Sequence, residues 1–349
     1  MADDSEILDV VSDFEDANEV LYREGVTDGL PVVPPTRERV DAMLDGVDRD
    51  PDDVVGVIPP KYGDATVEKI AINAVMAGCE PEYMPVLVTA VEAMTEEQFN
   101  LYGVNATTHP VAPMLVLNGP VVDELNVNYG YNVFGQGWKA NATIGRAVRL
   151  LLVNVGGGQP GEMDRATHGH PGKYSYCIAE NARKHPWDPL HVQRGYDEDR
   201  STVTVFGAEA PNEINDHVSE DAQGVLTVAA DVLATIGNNN AYYTQGELTV
   251  VFGPEHANTV ARDGFSVEEV ELYLYDQARN RMGKLRQGGM YGIHDWPERF
   301  AVKDGQDRIP LVEEPDRINV LVAGGAGKHS MAIHSFGETR SVTKPIEGI

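Results

Sequence analysis

The chain is poor in cysteine, in lysine and in long apolar runs. Cys79 and Cys177 are its two cysteines among 349 residues, which excludes a disulfide scaffold and leaves only single-thiol chemistry. No apolar run approaches the ~18 residues of a membrane-spanning helix. The best run, residues 147–155, is interrupted by Arg149 and Asn154. Because the N-terminus is acidic, unlike a signal peptide, the sequence predicts a cytoplasmic protein without membrane association.

Positive charge is also scarce. The chain has 55 acidic and 27 basic side chains, a formal net charge of −28, which argues against nucleic-acid binding. The basic side chains are eighteen arginines and only nine lysines. In molar salt the Debye length falls to about 3 Å, so the self-repulsion of such a chain is screened. We therefore expect a halophilic protein; an ordinary acidic cytosolic protein is the alternative.

Short apolar segments alternate with longer helical patterns along the chain. This order predicts an α/β or α+β fold in which a mixed sheet is flanked by helices. Residues 1–60 carry 17 acidic and 4 basic side chains, with a helical stripe at 7–22 and a proline-rich extended stretch at 28–36. We expect this segment to form an acidic cap packed on an α/β body of residues 61–349. Two sub-domains of that body would meet near residues 156–215.

The predicted strands cover residues 54–58, 114–117, 174–178, 203–206, 248–252 and 318–322. The predicted helices cover residues 37–44, 66–77, 85–94, 141–155, 219–236, 254–262 and 266–282.

Chemically active side chains are densest in residues 164–181. If residues 174–178 extend as a strand from Lys173, the side chains of Lys173 and Cys177 share one face. Lys173 and the loop residue His170 would then lower the pKa of the Cys177 thiol. This predicts Cys177 as a nucleophile or redox thiol and His170 as its base or acid. The opposing interpretation is that Cys177 is a small buried apolar residue.

The same segment contains a candidate metal site. His168 and His170 form an HxH pair, which His185, His191 or Glu180 could complete as ligands of a divalent metal. An HxH pair without a third ligand at a recognisable spacing is weak evidence, and neither an HExxH nor an EF-hand motif occurs. The cofactor stays open between none and a divalent metal. A metal-dependent hydrolase or lyase is one alternative function, and a non-catalytic subunit of a two-component enzyme is another.

Two glycine-rich loops are candidates for holding an anionic substrate. Residues 318–330 predict a strand, a glycine loop and a Lys-His-Ser sequence that fails the Walker spacing, so no nucleotide-binding signature is present. Its backbone amides could still form an anion-binding nest. Residues 135–146 approach a helix N-terminus, where Asn141 is the expected N-cap. The candidate substrate-binding residues are Gly327, Lys328, His329, Arg340, Asn141 and Arg146.

Four segments resemble one known family: residues 28–36 (DGLPVVPPT), 63–79, 140–146 (ANATIGR) and 169–177 (GHPGKYSYC). They are similar to a bacterial and archaeal family often encoded beside small proteins with a UGSC (selenocysteine or cysteine) motif, and the chain looks like a haloarchaeal member. The resemblance implies a cytoplasmic metabolic protein that works with a thiol- or selenol-bearing partner. This chain has no UGSC or CGSC sequence of its own.

Together these patterns predict an enzyme that acts on a small anionic metabolite through a single reactive cysteine. The reaction would be of the thiol-dependent oxidoreductase or lyase type. A small UGSC-type protein is the expected protein partner, and the chain is compatible with a homo-oligomer.

The charge predicts that folding depends on salt. Below about 0.5 M salt, screening weakens and the acidic chain is expected to loosen and melt at a lower temperature. Circular dichroism and thermal melting in molar and in dilute KCl measure this effect. An unchanged melting temperature in dilute buffer would contradict the halophilic interpretation.

Overall fold

The structure is a computed structural model that describes residues 14–243, 245–288 and 308–348; residues 7–13 of the predicted helical stripe lie outside them. The helices of the described residues are α1 (Phe14–Arg23), α2 (Arg37–Leu44), α3 (Val67–Ala77), α4 (Met84–Met94), α5 (Leu101–Asn105), α6 (Val121–Glu124), α7 (Lys139–Asn154), α8 (Leu190–Gln193), α9 (Ala222–Leu233), α10 (Pro254–Arg262), α11 (Val267–Gln277) and α12 (Met282–Gln287). Their strands are β1 (Val54–Ile58), β2 (Gly63–Thr66), β3 (Ala112–Asn118), β4 (Cys177–Ala179), β5 (Thr202–Ala208), β6 (Asn212–Asn215), β7 (Leu248–Phe252), β8 (Arg279–Arg281), β9 (Arg308–Pro310), β10 (Ile318–Val322), β11 (His329–His334) and β12 (Val342–Pro345).

The strands form two mixed sheets of four strands each. Sheet I has the order β12-β5-β3-β4, and β3 and β4 run parallel while its other pairs are antiparallel. Sheet II has the order β10-β7-β11-β6, with β10 and β7 parallel. The pairs β1-β2 and β8-β9 are antiparallel and separate from both sheets. The predicted α/β class is confirmed. No described helix combines the length and the apolar character needed to cross a bilayer.

Both faces of each sheet are buried, which stacks the molecule in four layers. Because side chains alternate along a strand, Leu115 of β3 faces the helix-side core while Met114 faces a second core. In β7, Val250 faces the helices and Val251 faces that same second core. The second core therefore lies between the sheets. Helices α4 and α7 cover sheet I, with α3 packed against both of them, and helices α9, α10 and α11 cover sheet II, an αββα arrangement.

The N-terminal segment packs against the helices of sheet I. Leu21, Val32 and Val40 are buried in the same apolar cluster as α3 and α7. The side chain of Asn18 in α1 accepts a hydrogen bond from the Val32 amide at 2.7 Å and donates one to the Val32 carbonyl at 3.1 Å. This reciprocal pair fixes the proline-rich extended segment alongside α1.

A buried carboxylate joins the two sheets. Glu180 directly follows β4, and its side chain is 0 % exposed. One oxygen, Oε2, accepts hydrogen bonds from the Asn118 amide group in β3 (2.6 Å) and from the Leu190 amide (2.8 Å). The other, Oε1, lies 2.8 Å from Nε2 of His185 and accepts from the Val322 amide of β10 at 3.2 Å. Glu180 thus connects sheet I, the 185–190 loop and sheet II.

Two local predictions that bear on the site are wrong. The predicted strand over residues 174–178 begins only at Cys177, because residues 171–173 form a 3₁₀ turn. Asn141 is not an N-cap: α7 begins at Lys139, and Asn141 lies inside its first turn. Strands β2, β6, β8, β9 and β12 were not predicted, since each has only three or four residues and little apolar sequence.

The Glu180 cluster predicts a large stability loss for Glu180→Gln. In the variant, the NH₂ group of glutamine replaces a carboxylate oxygen and faces groups that are hydrogen-bond donors themselves. Breaking a buried charged cluster in this way lowers the free energy of unfolding by about 3 kcal/mol or more. Urea unfolding at fixed KCl measures the change. The control is Glu162→Gln, whose carboxylate is 69 % exposed and 3.9 Å from Lys61, with an expected effect below about 0.5 kcal/mol. Equal unfolding midpoints for the two variants would contradict the proposed joining role.

Candidate functional site

A cavity of about 630 Å³ lies beside α7, and we call it the α7 cavity. Three parts of the chain line it: the start of the proline-rich segment with Asp28, the middle of α7 with Arg149, and the loop of residues 158–174. That loop contributes Asp164, His170 and Lys173. The α7 cavity is of the size of small-molecule sites.

Arg149 is buried in this cavity, and no described carboxylate forms an ion pair with it. It is 9 % exposed, and its buried Nε has no hydrogen-bond partner among the described residues. Burial lowers the pKa of Arg149, and the negative charge of Asp164 opposes that shift. One turn earlier, Arg146 is fully paired: its Nε and Nη2 each lie 2.8 Å from an oxygen of Asp28. Asp28 therefore neutralises Arg146 and leaves Arg149 uncompensated.

Asp164 and Lys173 form an ion pair in the same cavity. The Lys173 Nζ lies 2.7 Å from Asp164 Oδ2, and the two side chains are 15 % and 7 % exposed. Burial and the nearby charge of Arg149 lower the pKa of Lys173, whereas Asp164 raises it. With Arg149 and Lys173 positive and Asp164 negative, the α7 cavity carries one uncompensated positive charge.

His170 is neutral but does not offer a free nitrogen to the cavity. Its Nδ1 accepts a hydrogen bond from the Gly172 amide at 3.1 Å, which caps the 3₁₀ turn Pro171–Lys173. Burial, reinforced by the charge of Lys173, lowers the pKa of His170 to about 4. Its Nε2 is buried on the side of the Ala208 carbonyl, without a hydrogen bond of normal geometry to any described residue. The expectation that His170 is the base is therefore not supported; it shapes the turn that carries Lys173.

Cys177 does not have the environment expected for a nucleophile. It is 5 % exposed, belongs to the helix-side core of sheet I, and burial raises the pKa of its thiol instead of lowering it. Lys173 is not on a common strand face with Cys177 but is paired with Asp164. The carbonyl of Cys177 accepts a hydrogen bond from Asn141 Nδ2 at 3.2 Å, so Asn141 is a packing residue here and not an anion ligand. This corrects both predicted roles.

His168 and His170 both line the α7 cavity, but the residues expected to complete a metal site with them do not. His168 is exposed, while His185 is bound to the Glu180 cluster and His191 Nε2 lies 3.2 Å from the Glu198 carbonyl. Across the described ranges no group of three or more His, Cys, Asp or Glu side chains is arranged to hold a metal ion.

The predicted glycine loop lies elsewhere. It lines a different cavity, of about 400 Å³, which shares no lining residue with the α7 cavity. The Gly327 amide donates to Glu255 Oε1 at 2.8 Å, so a carboxylate of the chain already occupies this nest. The Lys328 ammonium donates to the Ser219 carbonyl at 3.1 Å. This predicted anion site is therefore filled from within the protein.

The two remaining predicted anion ligands each lie within ion-pair distance of a carboxylate, although the buried Nη1 of Arg340 has no hydrogen-bond partner among the described residues. His329 Nδ1 lies 2.8 Å from the carboxylate of Glu213, and an Arg340 Nη2 lies 4.0 Å from Glu313. Neither lines the α7 cavity. The structure thus brings Lys173, His170 and His168 together, but not Cys177, Gly327, Lys328, His329 or Arg340.

Sequence analysis missed the two residues that define the site, Arg149 and Asp164. The available signal was an arginine inside the apolar run of residues 147–155, where it interrupts a stretch that otherwise consists mostly of apolar side chains. An arginine on a buried helix face requires either a counter-ion or a ligand.

Comparison of the chain with models of protein families and with curated proteins finds no match. The resemblance to the UGSC-associated family, and the protein partner that it implies, therefore stay predictions.

The burial of Cys177 predicts an unreactive thiol. In the folded protein at neutral pH, iodoacetamide should leave Cys177 unmodified until urea unfolds the chain, because a buried thiol with a raised pKa provides little thiolate. Peptide mapping with and without urea measures this; because burial also raises the pKa of the Cys79 thiol, to about 12, alkylation of both cysteines in urea is the reference. Rapid alkylation of Cys177 in the native protein would restore the nucleophile interpretation.

Proposed function

We propose that the α7 cavity is the active site of an enzyme that acts on a small carboxylate- or phosphate-bearing metabolite. The observation that carries the proposal is the buried guanidinium of Arg149, whose Nε has no hydrogen-bond partner and which forms no ion pair among the residues that the structure describes. Burying a charge without a partner costs several kcal/mol, so a protein gains from such a group only if a ligand supplies the counter-ion. One bound anion would neutralise the excess charge of the α7 cavity.

The lining of the cavity favours a small molecule over a macromolecule. Its volume of about 630 Å³ lies within the usual range for ligand sites. Apolar groups such as Val153 and Pro160 alternate with a few charged ones, Arg149, Asp164 and Lys173. Such a wall orients a compact ligand through a small number of polar contacts.

Acid–base chemistry is the reaction type that the charged groups support best. Asp164 and Lys173 are 2.7 Å apart, so a proton can pass between them and a substrate atom beside them. A thiol-dependent reaction would require Cys177, which is buried away from the α7 cavity. A lyase or isomerase type of reaction is therefore favoured over thiol-dependent oxidation.

We also propose that the enzyme works in the cytoplasm of a salt-accumulating organism. The support is the net charge of −28 together with eighteen arginines against nine lysines.

Anion binding should depend on Arg149. Isothermal titration at pH 7 and fixed KCl, with acetate, pyruvate, succinate and phosphate as probes, should detect at least one ligand. Arg149→Met should weaken it about 10- to 100-fold, the equivalent of a lost hydrogen-bonded charge of about 1.5–3 kcal/mol. Without ligand, the Arg149→Met variant should be no less stable to unfolding than the parent, because the substitution removes a buried charge that lacks a described partner.

The matched control is Arg183→Met. Arg183 is 65 % exposed and pairs with Asp123 at the surface, so its loss should leave both ligand affinity and stability almost unchanged. Equal binding by Arg149→Met and the parent would overturn the proposal. Binding without turnover across a panel of acid–base reactions would instead favour the non-catalytic subunit.

A further inference from the structure

We propose that Lys173 forms a covalent iminium with the carbonyl carbon of a 2-oxo acid whose carboxylate is held by Arg149. The inference rests on the proposed anion site and names its substrate class. It assigns Lys173 as a catalytic nucleophile, a role distinct from the electrostatic one expected from the sequence.

The first support is the position of Lys173. Among the described residues it is the one lysine that lines the α7 cavity, and its side chain is 15 % exposed. Most other lysines with a described partner are at the surface; Lys61, for example, is 57 % exposed. Enclosing an amine and fixing its position favour its addition to a bound carbonyl group. Lys173 is both enclosed and fixed.

The second support is the neighbouring guanidinium. Lys173 is in contact with the Asp164 carboxylate, and Arg149 lies close enough to that carboxylate to sense its charge. Burial and the adjacent cation both lower the pKa of Lys173. A lysine that is desolvated beside a second cation is a known way to obtain a nucleophilic amine near neutral pH.

The third support is the match between this arrangement and a 2-oxo acid. Such an acid has a carboxylate and a carbonyl group on adjacent carbons, so one small molecule can reach two cations that share one counter-ion. Its single negative charge equals the excess positive charge of the α7 cavity. A phosphate or a simple carboxylate could satisfy Arg149 but would leave the amine of Lys173 without an electrophile.

The proton balance uses Asp164. Asp164 accepts a proton from the Lys173 ammonium, and the free amine adds to the carbonyl carbon to form a carbinolamine. The proton then returns from Asp164 to the departing hydroxyl group, which leaves as water. The overall step converts one ammonium and one ketone into one iminium ion and one water molecule, and requires neither an oxidant nor a reductant.

Reductive trapping tests the proposal. The full-length protein is incubated with pyruvate or 2-oxobutyrate and sodium borohydride, and labelled peptides are mapped by mass spectrometry. Lys173 should carry the main adduct, heavier than lysine by the acid minus one oxygen atom. Lactate, which has the carboxylate without the carbonyl group, should give none, and acetone, which lacks the carboxylate, should label Lys173 no more than surface lysines.

Two variants separate this inference from the proposed anion site. Lys173→Arg retains the positive charge, so it should still bind the acid in calorimetry but lose the adduct. Arg149→Met should lose both the binding seen in calorimetry and the adduct on Lys173. Should Lys173→Arg fail to fold, the peptide map of the parent protein still decides the matter. An acid that binds without labelling Lys173, or that labels all lysines equally, would overturn the iminium while leaving the anion site intact.

Discussion

The fold depends on one buried carboxylate. Glu180 is fully enclosed, so its charge must be balanced by protein groups instead of water, and four donors from three segments converge on it. His185 contributes as a neutral ring, because its Nδ1 accepts a hydrogen bond from the Trp187 amide and its Nε2 proton is left for Glu180. These bonds fix the edge of sheet I against β10 of sheet II, and so fix where the segment preceding β4 runs. Residues 158–174 of that segment line the α7 cavity.

The same molecule treats another buried charge differently. Glu180 has four partners and Arg146 has a two-point ion pair with Asp28, as structural charges should. Arg149 occupies the same helix as Arg146 yet lacks a comparable partner. Asp164 could have supplied one, but its carboxylate is bound to Lys173. Among the described residues, one carboxylate is therefore shared by two cations, and the proposed anionic ligand would supply the second negative charge.

Local patterns predicted much of the fold and little of the site. Strands β7 and β10 and helix α10 have the predicted bounds, because their apolar runs and flanking turn residues are short-range signals. The stacking of two sheets depends on contacts such as Glu180 to Val322, which no local pattern encodes. Lys173 was found by composition, but its expected place on one strand face with Cys177 is wrong, because a proline-initiated 3₁₀ turn replaces the start of that strand. The role proposed for Arg149 depends on the ion pair between Asp164 and Lys173, because that pair occupies the nearest carboxylate. No local pattern around Arg149 encodes this pairing within the loop of residues 158–174.

The high-salt solvent that the composition favours affects how the α7 cavity would select its ligand. At a net charge of −28 the long-range field repels anions, but at molar salt the Debye length of about 3 Å removes that field and leaves only contacts. Chloride, then present in large excess, can occupy a lone guanidinium as readily as a carboxylate can. Charge alone would give the α7 cavity poor selectivity in such a solvent. A covalent bond between Lys173 and a carbonyl carbon is a contact that chloride cannot imitate, so an enclosed amine beside Arg149 would restore selectivity where electrostatics cannot provide it.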